Sequence, residues 1–201
     1  IPRCLANQRD KKWDPFVMDV VAGKTVGFVG YGHIAQQSAV LGKALGMRII
    51  ACRRSEGGND VVVPAQTYAP DQRLKLFEES DYVVCSLPGT AATKDFCGAQ
   101  EFGAMKSTGV FVSLGRGAAV DEDALVDVLS KGQIRGAALD VFKEEPLPSS
   151  SPLWTLGDRI LITAHNADLT EDYFDLGWAV FADNYRSFAG GEPLKTPVDV
   201  S

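Results

Sequence analysis

Short apolar runs alternate with helix-like segments along most of the chain, and this alternation restricts the fold more than any other feature. Several of the runs are apolar at consecutive positions, as in "VVCSL", "VFVSL" and "GAAL". This pattern is typical of strands covered on both faces, as in a parallel sheet between two layers of helices. The predicted strands are residues 25–29, 48–52, 82–87, 109–114, 134–139 and 160–163. Strands that alternate with helices in this way form a doubly wound α/β fold with right-handed crossovers.

Three helices are predicted between and after these strands. The helix after the first strand should bury one stripe, which consists of Ile34, Ser38, Leu41 and Leu45. The "DED" sequence at 121–123 places acids in the first turn of a second helix, where the helix dipole favours them. A long closing helix is predicted at 171–188, because two glycines and a proline follow it.

Composition and charge argue against several classes of protein. The chain has 201 residues, of which 45% are hydrophobic and 23% are charged, enough for one sizeable core. A net charge of -6 argues against direct nucleic-acid binding, which needs clustered lysines and arginines. No apolar run reaches the roughly 18 residues of a membrane span, and no signal-peptide pattern is present. The four cysteines lack metal-ligand spacing, so we expect reduced thiols, a cytoplasmic location and no metal.

The "GYGHIA" sequence at 30–35 has nearly the spacing of a loop that binds a dinucleotide. The first glycine of such a loop permits a tight turn, and the second lets the backbone approach the pyrophosphate. Ala35 takes the place of the third glycine, where alanine is an accepted variant. Because the loop follows a strand and opens a helix, it predicts a Rossmann-type site. The predicted contacts here are Gly30, Gly32, His33 and Ile34; a plain tight turn between strand and helix is the alternative.

The residues after the second strand favour NADP over NAD. An acidic residue about 20 positions beyond the glycines normally binds the ribose 2′-hydroxyl of NAD. The sequence has Arg53, Arg54 and Ser55 at this place. Two guanidinium groups and a hydroxyl are complementary to a 2′-phosphate. We therefore predict NADP as the cofactor, with NAD possible; the alternative is a solvated loop with two incidental arginines.

Polar residues follow three of the later strands. Arg116 stands between two glycines after the strand at 109–114, and its guanidinium group offers a rigid fork for a carboxylate. Asp140 ends the next strand and is followed by Glu145, while His165 follows the last strand. Taken singly, each has an ordinary interpretation as a surface charge, a loop acid or a packed histidine. Their shared position at strand ends is where open α/β sheets bind ligands.

The sequence resembles the D-isomer-specific 2-hydroxyacid dehydrogenases over about residues 13–198. The motifs that carry the resemblance are "VGFVGYGHIAQQ", "SDYVVCSLPGTAATKDF", "MKSTGVFVSLGRGAAVDEDAL", "GQIRGAALDVFKEEPLPSSSPLW" and "ITAHNADLT". The resemblance implies hydride transfer between a nicotinamide cofactor and a small 2-oxoacid or 2-hydroxyacid. It also implies that Arg116 binds the substrate, that His165 is the general acid/base and that Glu145 is its partner. The residues implied to line the cofactor are Leu87, Pro88, Leu114, Gly115, Arg116, Asp140 and His165.

The chain departs from the pattern of the family that it resembles at several positions. Arg53 stands where the family usually has an acid, and Ser113 stands where it usually has an asparagine. Ala164 replaces the usual proline before His165, and Ala167 replaces a usual glycine. These changes retain every implied catalytic side chain, although the last two would reshape the loop around the histidine.

The resemblance also implies a domain organisation. Residues 1–12 are expected to end a helix that leads from a substrate domain, most of which is missing from this chain. Residues 13–188 are expected to form the dinucleotide-binding domain, and residues 189–201 a tail returning towards the substrate domain. The family usually forms homodimers through the cofactor domain. Two alternatives to a working enzyme remain open: a cofactor-sensing, corepressor-like interaction protein, and a catalytically inactive cofactor-binding fragment.

Overall fold

The computed structural model describes residues 2–54, 62–63 and 65–197. In these ranges the strands are β1 (Thr25–Val29), β2 (Arg48–Cys52), β3 (Gln66–Tyr68), β4 (Tyr82–Cys85), β5 (Val110–Ser113), β6 (Gly136–Leu139) and β7 (Ile160–Ile162). The α-helices are α1 (Pro2–Arg9), α2 (His33–Ala44), α3 (Arg73–Glu79), α4 (Ala99–Ala104), α5 (Glu122–Ser130) and α6 (Tyr173–Ala189). Short 3-10 helices occupy Pro70–Gln72, Gly117–Ala119 and Pro152–Arg159. The chain divides into two compact units between Ala164 and His165.

All the strands of the first unit pair in parallel in one sheet, in the order β3-β2-β1-β4-β5-β6-β7. The last residues of the strands are in register, since Val29 pairs with both Cys52 and Cys85, and Ser113 pairs with both Cys85 and Leu139. The strand order reverses between β1 and β4, and the crevice at such a switch point is where open α/β sheets bind ligands. The predicted doubly wound parallel sheet is confirmed.

The six predicted strands are all present, and the four later ones are shorter than predicted by one or two residues at one or both ends. The sequence analysis missed β3, a three-residue strand at the edge of the sheet that pairs with β2. Two of its residues, Gln66 and Thr67, are exposed, so β3 lacks the apolar run by which the other strands were predicted. The helix predicted from "DED" begins at Glu122, and the side chain of Asp121 caps it by accepting a hydrogen bond from the amide of Ala124 at 3.2 Å.

The core lies on both faces of the sheet, because alternate side chains of each strand point in opposite directions. Val26 and Phe28 of β1 pack on the face covered by α2. Val29 of β1 packs on the other face. The largest fully buried aromatic residues on that second face are Phe77, Phe102 and Phe111.

The prediction of which stripe of α2 is buried is wrong. Ile34 is 58% exposed, Leu41 is 67% exposed and Leu45 is 57% exposed. The buried residues of this helix are instead Ala35, Ala39 and Gly42. A Cβ atom at Gly42 would lie only 3.2 Å from Cδ1 of Ile49. The helix therefore lies close to the sheet, small residues occupy its buried positions, and its larger apolar residues are exposed.

The second unit consists mainly of α6, which was predicted at 171–188. The only residue of α6 with a buried side chain is Ser187. Its large exposed apolar residues are Tyr173, Phe174, Leu176, Trp178, Val180, Phe181, Tyr185 and Phe188. The side chain of Asn184 holds the following tail by donating to Oγ1 of Thr196 at 2.7 Å and accepting from its amide at 3.1 Å.

No helix in the described ranges is long and apolar enough to cross a membrane. No group of three or more histidine, cysteine, aspartate or glutamate side chains in the same ranges is arranged to hold a metal ion. Cys4, Cys52, Cys85 and Cys97 are free thiols, and the last three are buried.

Candidate dinucleotide and substrate site

Most of the site residues predicted from the sequence lie at one edge of the sheet. Gly30, Arg53, Leu114 and Asp140 each come directly after the last residue of a strand, and Leu87 comes two residues after β4. Because the strands are parallel and their last residues pair in register, these positions share the carboxyl edge. The structure thus brings together the predicted contacts that belong to the first unit.

The glycine turn after β1 leaves the start of α2 open to a ligand. Gly30 has a φ of +84°, a left-handed conformation that favours glycine. Gly32 is the N-cap of α2, makes no side-chain cap and has nothing within 4 Å of a Cβ built on it. No acidic residue occupies the first turn of the helix. Uncapped amides and the positive end of the helix dipole are what a pyrophosphate requires, so this turn fits a dinucleotide.

His33 and Ile34, the other contacts predicted in this loop, are the first two residues of α2. Both are exposed. The turn itself is held against the neighbouring strands, because the amide of Gly30 donates to the carbonyl oxygen of Cys52 at 3.0 Å. Oγ of Ser86 also donates to the carbonyl oxygen of Gly30 at 3.1 Å. The glycine turn is therefore fixed from both sides of β1.

The arginine loop begins at the carboxyl end of β2. Arg53 is half-buried and Arg54 is exposed. The backbone amide of Arg53 donates to the carbonyl oxygen of Tyr68 at 3.2 Å, which extends the pairing with β3 by one residue. Burial raises the pKa of Tyr31, and the positive charge of Arg53 partly opposes this rise. Ser55, the third residue predicted here, lies outside the described residues.

The loops after β4 and β5 contact each other through their backbones. A Cβ at Gly115 would overlap the carbonyl oxygen of Leu87, so only glycine allows this approach. Leu114 continues the sheet, since its amide donates to the carbonyl oxygen of Cys85 at 3.0 Å. The carbonyl oxygen of Pro88 accepts a hydrogen bond from Oγ1 of Thr93 at 2.5 Å.

Arg116 lies at the point where three loops meet. Its side chain is exposed, and Nη1 donates to the carbonyl oxygen of Gly115 at 2.8 Å. A Cβ at Gly117 would overlap the backbone of Phe142, which belongs to the loop after β6. The arginine is therefore presented between the loops that follow β4 and β6, with a cationic group available for an anionic substrate.

Asp140 and Glu145 are both held by hydrogen bonds at the carboxyl end of β6. Asp140 is 5% exposed, and its Oδ1 accepts a hydrogen bond from Oγ1 of Thr163 at 2.5 Å. Glu145 is exposed, and its Oε1 accepts a hydrogen bond from the amide of Phe142 at 2.8 Å. Each carboxylate has a fixed orientation, because a charge-assisted hydrogen bond is stronger than a neutral one.

His165 is the first residue of the second unit and comes three residues after β7 in the chain. Its φ of +47° is uncommon for a residue with a side chain. Residues in such sparsely populated conformations cluster at functional sites. Arg116, Asp140 and Glu145 thus belong to the first unit, whereas the predicted acid/base belongs to the second.

Sequence reasoning missed two polar residues of the first unit. Thr163, which fixes Asp140, could have been found as a hydroxyl residue directly after the last strand. Ser113 ends β5 with a buried Oγ that has no hydrogen-bond partner among the described residues. Ser113 was noted above only as standing where the family usually has an asparagine, and its position next to the Arg116 loop is a second signal in the sequence. A buried hydroxyl without a partner is costly and is often associated with a functional site.

A glycine turn and an uncapped helix after the first strand of a doubly wound parallel sheet define a Rossmann-type dinucleotide-binding domain. Residues 1–167 match the family described as "D-isomer specific 2-hydroxyacid dehydrogenase, NAD binding domain". The chain belongs to this family, which confirms the resemblance inferred from its motifs.

Relatives and solved structures agree with this assignment. A glyoxylate reductase of Aeropyrum pernix is 39% identical over 183 residues, which are 90% of this chain and 53% of that protein. A probable 2-hydroxyacid dehydrogenase of Rhizobium etli, solved with NADP, HEPES and L(+)-tartaric acid, shares 28% identity and a TM-score of 0.85. An NADPH-dependent glyoxylate/hydroxypyruvate reductase of Sinorhizobium meliloti, solved with NADP and sulfate, shares 26% identity and a TM-score of 0.86. In both structures the match covers 98% of this chain and 62% of the other.

The chain spans about half the length of the curated relatives that it matches, 57% of one from Corynebacterium melassecola and 53% of the Aeropyrum protein.

Proposed function

We propose that this chain is the cofactor-binding part of an NADP-dependent reductase of small 2-oxoacids. A dinucleotide whose pyrophosphate lies at the Gly30 turn extends across the switch point, with one end at β2 and the other towards β4 and β5. Arg53 would then hold the adenosine end of the cofactor, and Arg116 would lie near its nicotinamide. The observation that carries the proposal is the exposed Arg116, held at the carboxyl edge between the loops that follow β4 and β6.

Arg116 binds and orients the substrate. Its guanidinium group forms paired hydrogen bonds with the carboxylate of the oxoacid and polarises the neighbouring carbonyl group. When bound, the reduced nicotinamide supplies a hydride to C2 of the substrate. The backbone contacts of Gly115 and Gly117 hold the Arg116 loop in place before the substrate binds. Such preorganisation reduces the entropy lost when the reacting groups are aligned.

His165 supplies the proton. In the direction of reduction, the protonated imidazole donates to the C2 oxygen as negative charge develops there, and in oxidation it accepts this proton again. Glu145 orients the imidazole and favours its charged form. Asp140, which is fixed by Thr163, contacts the nicotinamide end of the cofactor.

NADP is favoured over NAD by the two arginines after β2. Arg53 and Arg54 offer charge-assisted hydrogen bonds to a 2′-phosphate, and the acid that usually binds the ribose hydroxyl of NAD is absent from this position. The solved relatives from Rhizobium etli and Sinorhizobium meliloti are complexes with NADP. Glyoxylate and hydroxypyruvate, the substrates in the name of the second relative, set the size of the proposed oxoacid.

The remaining features of the proposal concern the whole protein. A substrate domain provided outside residues 13–188 closes over the site and excludes water, as is usual where two domains enclose a substrate. The protein works in the cytoplasm as a homodimer. We expect the 201-residue chain by itself to bind cofactor and to show negligible turnover.

A substrate panel tests this function. Glyoxylate, hydroxypyruvate, pyruvate and a bulkier 2-oxoacid are each supplied with NADPH or NADH, using the longest natural form of the protein. We expect steady reduction of at least one of the small oxoacids, faster with NADPH. Replacing His165→Ala should lower kcat by about 100-fold or more, the usual contribution of a general acid, with little change in cofactor affinity.

A matched pair of arginine variants distinguishes an effect at the proposed substrate site from the effect of removing a surface charge. Arg116→Gln should raise KM and lower kcat, because Arg116 acts on both the carboxylate and the reacting carbonyl. Arg3→Gln should leave both unchanged, since Arg3 is an exposed residue paired with Asp14 in the N-terminal segment. Near-normal turnover by the His165 variant would remove the histidine from the mechanism, and no turnover of any oxoacid would contradict the proposed activity.

A further inference from the structure

The residue between the two glycines connects the glycine turn to the segment at 62–63. Tyr31 is 7% exposed, and its ring packs on that of Phe28 with the centroids 5.8 Å apart. Its hydroxyl group donates a hydrogen bond to the carbonyl oxygen of Val63 at 2.8 Å. Val63 is itself 8% exposed. Because a buried carbonyl group requires a donor, this hydrogen bond fixes the segment against the turn.

Gln36 makes a second connection from the first turns of α2. Its Oε1 accepts a hydrogen bond from the amide of Val62 at 3.0 Å. Its Nε2 donates to the carbonyl oxygen of Tyr31 at 3.4 Å. The side chains of Tyr31 and Gln36 therefore attach both residues of the 62–63 segment to the part of the chain that forms the pyrophosphate turn.

The chain that leaves β2 is attached to the same turn. The carbonyl oxygen of Cys52 accepts a hydrogen bond from the amide of Gly30 at 3.0 Å. The amide of the next residue, Arg53, donates a hydrogen bond to the carbonyl oxygen of Tyr68. The charge of Arg53 also acts on the phenol of Tyr31. Arg53 and Val62 are thus both attached to the part of the chain around Gly30, Arg53 through the neighbouring Cys52 and Val62 through Gln36.

We propose that Tyr31 and Gln36 are positioning residues for cofactor specificity. They hold the segment at 62–63 at a set place relative to the pyrophosphate turn, so that a 2′-phosphate meets Arg53 and Arg54 in an ordered arrangement. Fixing the groups around a binding site in advance reduces the entropy lost on binding. This inference rests on the proposed NADP-dependent function. It predicts that hydrogen bonds away from the arginines contribute to the discrimination between NADPH and NADH.

Removing single hydrogen-bonding groups tests the inference in the 201-residue chain. Tyr31→Phe retains the packing on Phe28 and removes only the hydroxyl group. We expect it to weaken NADPH binding about three- to tenfold, the usual range for one net hydrogen bond, and NADH binding less than about twofold. Gln36→Met, which preserves length and helix propensity, should act in the same direction. The dissociation constants of both cofactors are measured at one salt concentration, together with thermal unfolding.

Tyr82→Phe provides the matched control. Tyr82 is the first residue of β4, so it lies at the amino end of the strand, away from the carboxyl edge with the glycine turn. Its hydroxyl oxygen accepts a hydrogen bond from Nη2 of Arg135 at 3.2 Å. The ratio of the two dissociation constants should not change in this variant. The ratio is decisive because a merely structural effect of Tyr31 or Gln36 would weaken both cofactors equally.

The outcomes distinguish this inference from the proposed function. A wild-type chain that prefers NADPH, with a ratio reduced in Tyr31→Phe and Gln36→Met, supports the positioning role. The same preference with an unchanged ratio in both variants overturns the positioning role alone. Equal wild-type affinity for the two cofactors contradicts both the NADP assignment and this inference. If Tyr31→Phe does not fold, the result of Gln36→Met, at a half-buried helix position, decides.

Discussion

Replacing Arg53→Asp should reverse the preference between the two nicotinamide cofactors. Arg53 is half-buried, and its backbone is fixed by the hydrogen bond to Tyr68. A charge-assisted hydrogen bond to the 2′-phosphate contributes about 1.5–3 kcal/mol, and exposure to solvent reduces this gain. We therefore expect the wild-type chain to prefer NADPH by about tenfold to a few hundredfold, or about 1.4–3.5 kcal/mol. The aspartate repels the phosphate and can accept a hydrogen bond from the ribose hydroxyl of NAD.

The assay is the ratio of NADPH to NADH dissociation constants for the wild type and the variant at one salt concentration. Salt must be fixed because it screens the interaction between exposed charges. Arg9→Asp makes the same change of net charge in α1 and should leave the ratio unchanged. The reasoning is refuted if the wild type binds NADH as well as NADPH, or if Arg53→Asp does not alter the ratio.

Two further predictions concern stability. Glu101, whose side chain is 5% exposed, accepts a hydrogen bond from the partly exposed Arg73 at 2.8 Å, so Glu101→Ala should lower the free energy of unfolding by about 1.5–3 kcal/mol. Denaturant unfolding checks this against Asp127→Asn, which breaks an exposed ion pair and should cost less than about 1 kcal/mol. Burial raises the pKa of Asp81, but hydrogen bonds from a backbone amide and Lys106 outweigh this, and its pKa lies below the ordinary 3.8. Its stabilising contribution is therefore present above pH 3.8 and is lost as pH falls through the lower folded value, so Asp81→Asn should flatten the acid limb of a stability–pH profile.

Strands at the centre of the sheet could be predicted because burial on both faces leaves a continuous apolar run. Val83 and Phe111 lie at such positions and are fully buried. The edge strand β3 has no such pattern, since only Tyr68 of its three residues is buried. Its pairing with β2 depends on the path of the chain after Cys52, and periodicity contains no information about that path.

The buried face of α2 could not be found from the size of its apolar residues. The stripe of large residues through Leu41 predicted the wrong face, because the distance between helix and sheet was not considered. At Gly42 a Cβ atom would already lie 3.2 Å from Cδ1 of Ile49, and the small residue Ala39 is fully buried. The usual rule that large apolar residues are buried fails where a helix and a strand are packed this closely.

The common position of the candidate site residues was easier to predict than the packing, because parallel strands place their carboxyl ends at one edge. Gly30, Arg53, Arg116 and Asp140 could each be selected from this rule without knowledge of any contact. The hydrogen bond from Thr163 to Asp140 depends on the neighbouring positions of β6 and β7, which only the structure gives.

The two glycines around Arg116 explain how one loop can present a charged side chain at a fixed place. Gly115 is pressed against the backbone of Leu87 after β4, and Gly117 is pressed against the backbone of Phe142 after β6. A residue with a side chain at either position would displace the Arg116 loop from the loop after β4 or from the loop after β6. The residue between them therefore has its Cα located by two other loops, while its side chain remains exposed. An arginine in this position has a preorganised backbone, and substrate binding needs to order only its side chain.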